Sequence, residues 1–132
     1  VQGDGFAAPF LAPGQETEAK VLRSVENARM RHVALDWQPA RLSRSEGTQQ
    51  VTVAAGTFSA ETLHVDIGAG DRTWTFLVEK DEPRRILRWE ANDGRRGELV
   101  ASTRTKYWEK HGKQQVDALR ELGLTPRGRR TP

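Results

Sequence analysis

The chain has 132 residues, no cysteine, and 21 Lys plus Arg against 18 Asp plus Glu, a formal charge of +3. A chain of this length is most economically one domain able to bury its own core, and the missing cysteine excludes a disulfide framework and thiolate metal ligation. So mild a basic excess names no partner, and no apolar run approaches the length that spans a bilayer.

Val1 to Gln15 is rich in Gly, Pro and Ala, with Phe6, Phe10 and Leu11 as its large apolar residues. It reads as a loosely held leader, extending to about residue 19, ahead of a domain over 20–124. It carries no n-region and h-region of a signal peptide, and it opens on Val1, as a processed or excised product would. Glu16 to Asn27 fits a strand through Arg23 by Val21 and Val25, or a helix face by Leu22 and Val25; a strand is preferred. Arg29 to Trp37 alternates, with Arg31, Val33, Leu35 and Trp37 on one side, and Pro39 is expected to stop that strand. Gln49 to Val53 is a further strand. Ala54-Ala55-Gly56-Thr57 then turns the chain, Gly56 supplying the positive φ a tight turn needs.

Three short segments follow whose large apolar residues alternate: Leu63, Val65, Ile67; then Trp74, Phe76, Val78; then Leu87 and Trp89. Gly68-Ala69-Gly70-Asp71 and Asp81-Glu82-Pro83-Arg84 separate them as turns. Turns of that length oppose Val65 to Trp74, Leu63 to Phe76, Phe76 to Trp89 and Val78 to Leu87, and so gather the large apolar groups on one face. A one-residue slip in either hairpin would split the set. Asn92-Asp93-Gly94 marks the next hairpin, with a strand from about Glu98 to Thr105 whose register stays open, since the loop can include Arg95 and Arg96.

The period then changes. Val116, Ala118, Leu119 and Leu122 form one helical stripe over about 113–122, Gly123 and Leu124 suit a Schellman closure, and Pro126 prevents continuation. So short a helix needs its stripe docked on the sheet. Residues 125–132 are a basic polar tail. The expected fold is mainly β: a curved antiparallel meander of about six to seven strands packed by one short helix.

Val51-Thr52-Val53-Ala54-Ala55-Gly56-Thr57-Phe58 resembles the VTVPAGTF turn of the DUF3108-type bacterial envelope protein family, with Ala54 where proline is usual. Arg84-Arg85-Ile86-Leu87-Arg88-Trp89-Glu90, Asp93-Gly94, Tyr107-Trp108 and Leu119 to Leu124 are similar to later elements of that family, in order, so that the resemblance covers roughly Gln49 to Leu124. It implies a periplasmic or secreted domain, envelope-associated and not transmembrane, with a sheet distantly similar to the lipoprotein-carrier fold. The family has no established chemistry, so it lends no functional residues.

Catalytic signatures are missing. His32, His64 and His111 sit at no metal-ligand spacing, there is no nucleophile elbow or phosphate-cradling loop, and Asn92-Asp93-Gly94 lacks the spaced acids of a calcium site. No cofactor or metal is expected. The strand registers place His64, Thr75 and Glu90 in one row opposite the aromatics, with Thr62, Leu77 and Arg88 in the next. A small hydrolase or lyase would use His64 with Glu90 and hold an anion on Arg88; the plainer alternative is a solvated sheet face. Trp74, Phe76 and Trp89, with Trp37 nearby, are either core under the C-terminal helix or, since one short helix covers little of a wide sheet, a groove for a lipid, acyl chain or peptide. A nucleic-acid role through Arg95, Arg96, Arg127, Arg129 and Arg130 ranks behind these, because only Tyr107 and Trp108 offer bases a stacking surface. An open sheet completed by a partner strand is the remaining possibility. The expectation is a noncatalytic module binding an apolar or amphiphilic molecule.

Overall fold

Among the described residues, six antiparallel strands lie in one open sheet in chain order: β1 (Glu16–Leu22), β2 (Trp37–Val53), β3 (Gly56–Ile67), β4 (Thr73–Glu79), β5 (Ile86–Ala91) and β6 (Arg96–Glu98). The helices among the described residues are α1 (Val25–Arg31) and α2 (Asp117–Glu121), with a 3-10 turn at Tyr107–Glu109. The computed structural model describes residues 11–22, 25–68, 72–104, 106–109 and 116–125, without the side chains of Glu26, Asn27, Tyr107 and Ala118. His111, the turn at 69–71, the start of the expected helix at 113–115 and the arginines of the tail lie outside them.

The expected registers hold through the middle of the sheet. Leu63 partners Phe76, Val65 partners Trp74, and Phe76 partners Trp89. One pairing fails: Val78 partners Ile86, not Leu87, because the β4–β5 register shifts between Leu77 and Val78. A bulge of this kind sets two residues of one strand against one of its neighbour, so every side chain beyond it changes face. Leu87 therefore leaves the aromatic face. It is fully buried in a cluster with Val51, Val53 and Ala60, against which Ala55, Phe58, Leu77 and Leu99 pack. This cluster thus lies on the side of the sheet opposite Trp74, Phe76 and Trp89, while Leu42, Leu63 and Val78 are buried on the aromatic side itself.

A second irregularity explains how that cluster closes. Between Arg44 and Thr48 the β2–β3 register shifts, leaving Ser45, Glu46 and Gly47 against Thr62 alone. Strands bend and twist more at such a bulge. Beyond it, the tip of the β2–β3 hairpin reaches the far end of the sheet: Ala55 N–H donates to the Leu99 carbonyl at 3.2 Å, Ala54 N–H to Glu98 Oε1 at 3.2 Å, and Arg88 Nη2 to the Thr52 carbonyl at 3.2 Å. The sheet curls over Val51, Val53, Ala60 and Leu87. Val53 and Gly56 are the last hairpin pair, and Gly56 has φ +136°.

Several expectations are corrected at the ends of the chain. The leader joins the fold early: β1 begins at Glu16, Gly14 N–H donates to the Arg44 carbonyl at 2.9 Å, Arg44 N–H donates to the Gln15 carbonyl at 2.9 Å, and Leu11 is buried. The strand expected over 29–37 is instead α1 and a connection, and β2 starts only at Trp37. Pro39 does not stop it. Pro39 partners Lys20 of β1, while β3 ends opposite Ala40, so the missing N–H falls where no strand lies on the other side. The final strand is shorter than expected: β6 covers Arg96–Glu98, and 99–104 form no strand. Arg95 precedes β6 and closes the turn Asn92-Asp93-Gly94 in register with Ala91, whose N–H reaches the Arg95 carbonyl at 2.8 Å.

The C-terminal helix ends as its sequence indicates. Gly123 has φ +67°, its N–H reaches the Arg120 carbonyl, and Leu124 N–H reaches the Leu119 carbonyl, a Schellman closure. Docking of the stripe is not what the described residues show. The extensive contacts between elements are all strand to strand, and Leu119 and Leu124 remain exposed.

Candidate functional site

Trp74, Phe76 and Trp89 reach one face from β4 and β5 because their positions alternate and the pairing there is regular. The Trp74 and Phe76 rings stack at 6.1 Å and 10°, and Trp74 meets Trp89 at 5.3 Å and 48°. These are the offset and tilted geometries that aromatic quadrupoles favour. All three rings are half-buried. Two further contacts fix them. Gly97, the cross-strand partner of Trp89, leaves room for the indole to lie down on β6, where a Cβ would overlap Nε1 and Cε2. On the other side the Arg95 guanidinium lies 5.6 Å from the Trp74 ring centroid, while its Nε is 3.1 Å from Asp93 Oδ2 and Arg72 Nε is 2.8 Å from the same oxygen. Beside Trp89 opens a cleft of about 450 Å³ lined by Ile86, Leu87, Leu99, Gly97, Arg85 and Glu98 among others. The arrangement is an apolar platform with a cationic edge.

Trp37, expected near the aromatics, lies at the opposite margin of the sheet: it partners Leu22 of β1 and is 59% exposed. The expected polar row is present in register, His64 to Thr75 to Glu90, with Thr62, Leu77 and Arg88 beside it. It is not a dyad. Thr75 stands between the other two, and its Oγ1 is 3.1 Å from His64 Nδ1; Glu90 is one strand further, about 9–10 Å from His64 across two interstrand spacings. Arg88 is engaged by the Thr52 carbonyl and by Glu98 Oε2 at 3.5 Å, and with Glu90, Arg96, Gly97 and Glu98 it lines a mixed-charge cleft of 440 Å³. Among the described residues no group of three or more His, Asp or Glu side chains gathers as a metal site, and no helix is long and apolar enough to cross a membrane.

Glu79 and Arg85 form a two-pronged ion pair at the core margin. Arg85 Nε and Nη2 each donate to the Glu79 carboxylate at 2.8 Å, and the guanidinium lies 4.9 Å from the Phe58 centroid. Hydrogen bonds from Arg85 hold the Glu79 carboxyl below the ordinary glutamate range against the opposing cost of burial, and the same pairing raises Arg85. A carboxyl depressed in the folded state stabilises above its unfolded pKa and loses that contribution as pH falls through the folded value. The thermal midpoint should therefore drop on acidification below about pH 4.3, and more gently in Glu79→Gln; parallel profiles for the two proteins would disprove the assignment.

No family model, curated protein or solved structure matches this chain. The site rests on its own geometry. Gly97, Arg95 and Asp93 are the site residues that sequence reasoning missed. The one available signal was Asn92-Asp93-Gly94, which, had the loop been limited to those three residues, would have paired Gly97 with Trp89.

Proposed function

We propose that this protein is a noncatalytic binding module of the cell envelope that holds an apolar or amphiphilic ligand, a lipid, acyl chain or peptide, against Trp74, Phe76 and Trp89. The observation that carries the reading is that these rings stack on one another and stay partly open to solvent, on a face where Leu42, Leu63 and Val78 are buried. Rings held in place by Gly97 and Arg95, with an adjoining cleft partly lined by Ile86 and Leu99, suit a slender apolar chain; Arg95 and Arg72 suit an anionic head group at its end. The envelope setting rests on the resemblance between Gln49 and Leu124. A titration with the apolar dye ANS should saturate stoichiometrically on the folded protein, and Trp89→Ala should weaken it by about tenfold or more, as loss of an aromatic anchor does. Absence of saturable binding, or an unchanged affinity in the variant, would end this reading.

A second reading is a domain completed by a partner strand. It is favoured by the sheet's two outer strands, β1 and the three-residue β6, which have one strand neighbour each among the described residues.

A further inference from the structure

The connection between β1 and β2 carries a surface that the aromatic platform does not use. Leu22 and Trp37 are cross-strand partners, so the chain between them leaves and re-enters the sheet at one point. On that chain Leu22, Val25, Met30, Val33, Leu35 and Trp37 are each between 41% and 72% exposed. They make up most of the large exposed apolar side chains among the described residues, and both anchors confine them to one end of the molecule. A concentration of this kind marks an interaction surface, whereas single exposed apolar residues do not. It is held in a defined shape. α1 buries Ala28 and ends in a Schellman closure, with His32 in the left-handed region at φ 53°, His32 N–H on the Arg29 carbonyl and Val33 N–H on the Ala28 carbonyl.

Charge coincides with it. Residues 20–37 contain Lys20, Arg23, Arg29 and Arg31 against Glu26 and Asp36, an excess of two in a chain whose formal total is +3. We infer that this end of the molecule docks on an anionic lipid surface, with α1 and its flanks seated among the head groups. Three features favour a bilayer over a protein groove or strand. The apolar side chains stand on the connection between β1 and β2, and none of them lines the three clefts found among the described residues, two beside β5 and β6 and one between β1, β2 and the end of β3. They are the Trp, Met, Leu and Val types that enter the interfacial zone, and Lys and Arg reach head groups while their stems lie along apolar surface. The excess positive charge complements anionic lipid, and cations near such a surface are attracted only within a Debye length.

The full chain should sediment with vesicles of phosphatidylcholine mixed with phosphatidylglycerol and not with phosphatidylcholine alone, and raised salt should release it. Vesicles brominated in the acyl chains should quench part of the tryptophan emission, since Trp37 would lie at the interface. The double variant Met30→Glu, Leu35→Glu alters two exposed positions, so its thermal midpoint should stay near that of the parent while its partition coefficient falls by at least about tenfold. Failure to bind the anionic vesicles, or equal binding by the double variant, overturns the proposal. So does self-association in the absence of lipid that the double variant abolishes, which would assign the surface to a second copy of the chain.

Discussion

Replacing Leu87 by alanine should cost about 2–5 kcal/mol of folding stability, the range for truncating a large aliphatic side chain in a closed core. Leu87 is the one large side chain among the described residues with essentially no solvent exposure, and it sits where the curled hairpin tip meets β5. Its neighbours Val51, Val53 and Ala60 lie on β2 and β3, two strands hydrogen-bonded to each other, so they are poorly placed to collapse into the space. A domain of this size loses several degrees of thermal midpoint per kcal/mol, so a fall of roughly 10 °C or more is expected. Urea unfolding followed by circular dichroism measures it directly. An aliphatic of the aromatic face makes the comparison sharp: Ile86→Ala, at a half-buried position, should cost clearly less. Equal losses would mean that Leu87 lies on the aromatic face and that the strand pairing runs regular past Leu77.

The bulge also shows what the sequence could and could not convey. Parity alone placed Leu63, Phe76 and Trp89 in one row, and the registers agree, because bulky alternate residues specify a face strongly and the β3–β4 hairpin is regular. Parity carries no information on an inserted residue. Leu87 obeys the alternation as written and lies on the wrong face because the backbone gains one position on β5 relative to β4. The same limit applies at Ser45-Glu46-Gly47, where Gly47 is the only local sign that β2 will bend. α1 was hidden for a different reason: over seven residues a helical period cannot outweigh the alternation of Arg31, Val33, Leu35 and Trp37, and the helix is closed by His32 in place of the glycine that would have announced its end. The aromatic residues of the candidate site were therefore legible, whereas their surroundings, Gly97 beneath Trp89 and Arg95 over Trp74, depended on a loop length that Asn92-Asp93-Gly94 leaves undetermined.

Arg44 offers the other large effect, and its sign depends on what replaces its partner. Its side chain is 8% exposed, donates from Nη1 to the Leu11 carbonyl at 2.6 Å, and pairs through Nη2 with Glu61 Oε1 at 2.6 Å; Glu61 is itself 12% exposed. Arg44→Ala strands a buried carboxylate and the Leu11 carbonyl together. Breaking a buried pair from one side costs roughly 3–5 kcal/mol. The loss here should fall at or below the lower end, because Arg84 Nη1 stays 3.9 Å from Glu61 Oε2. Forming the pair desolvates both ions, and among the described residues Arg44 Nε has no hydrogen-bond partner, so the native pair is itself an imperfect solution. Arg44→Met combined with Glu61→Leu replaces both charges with apolar groups of similar length and should recover most of the stability lost in either single variant. A double-mutant cycle in urea decides this. If the double variant is as unstable as the sum of its parts, the two side chains act independently, and the early chain around Leu11 is held to the sheet by its backbone pairing with Arg44 alone.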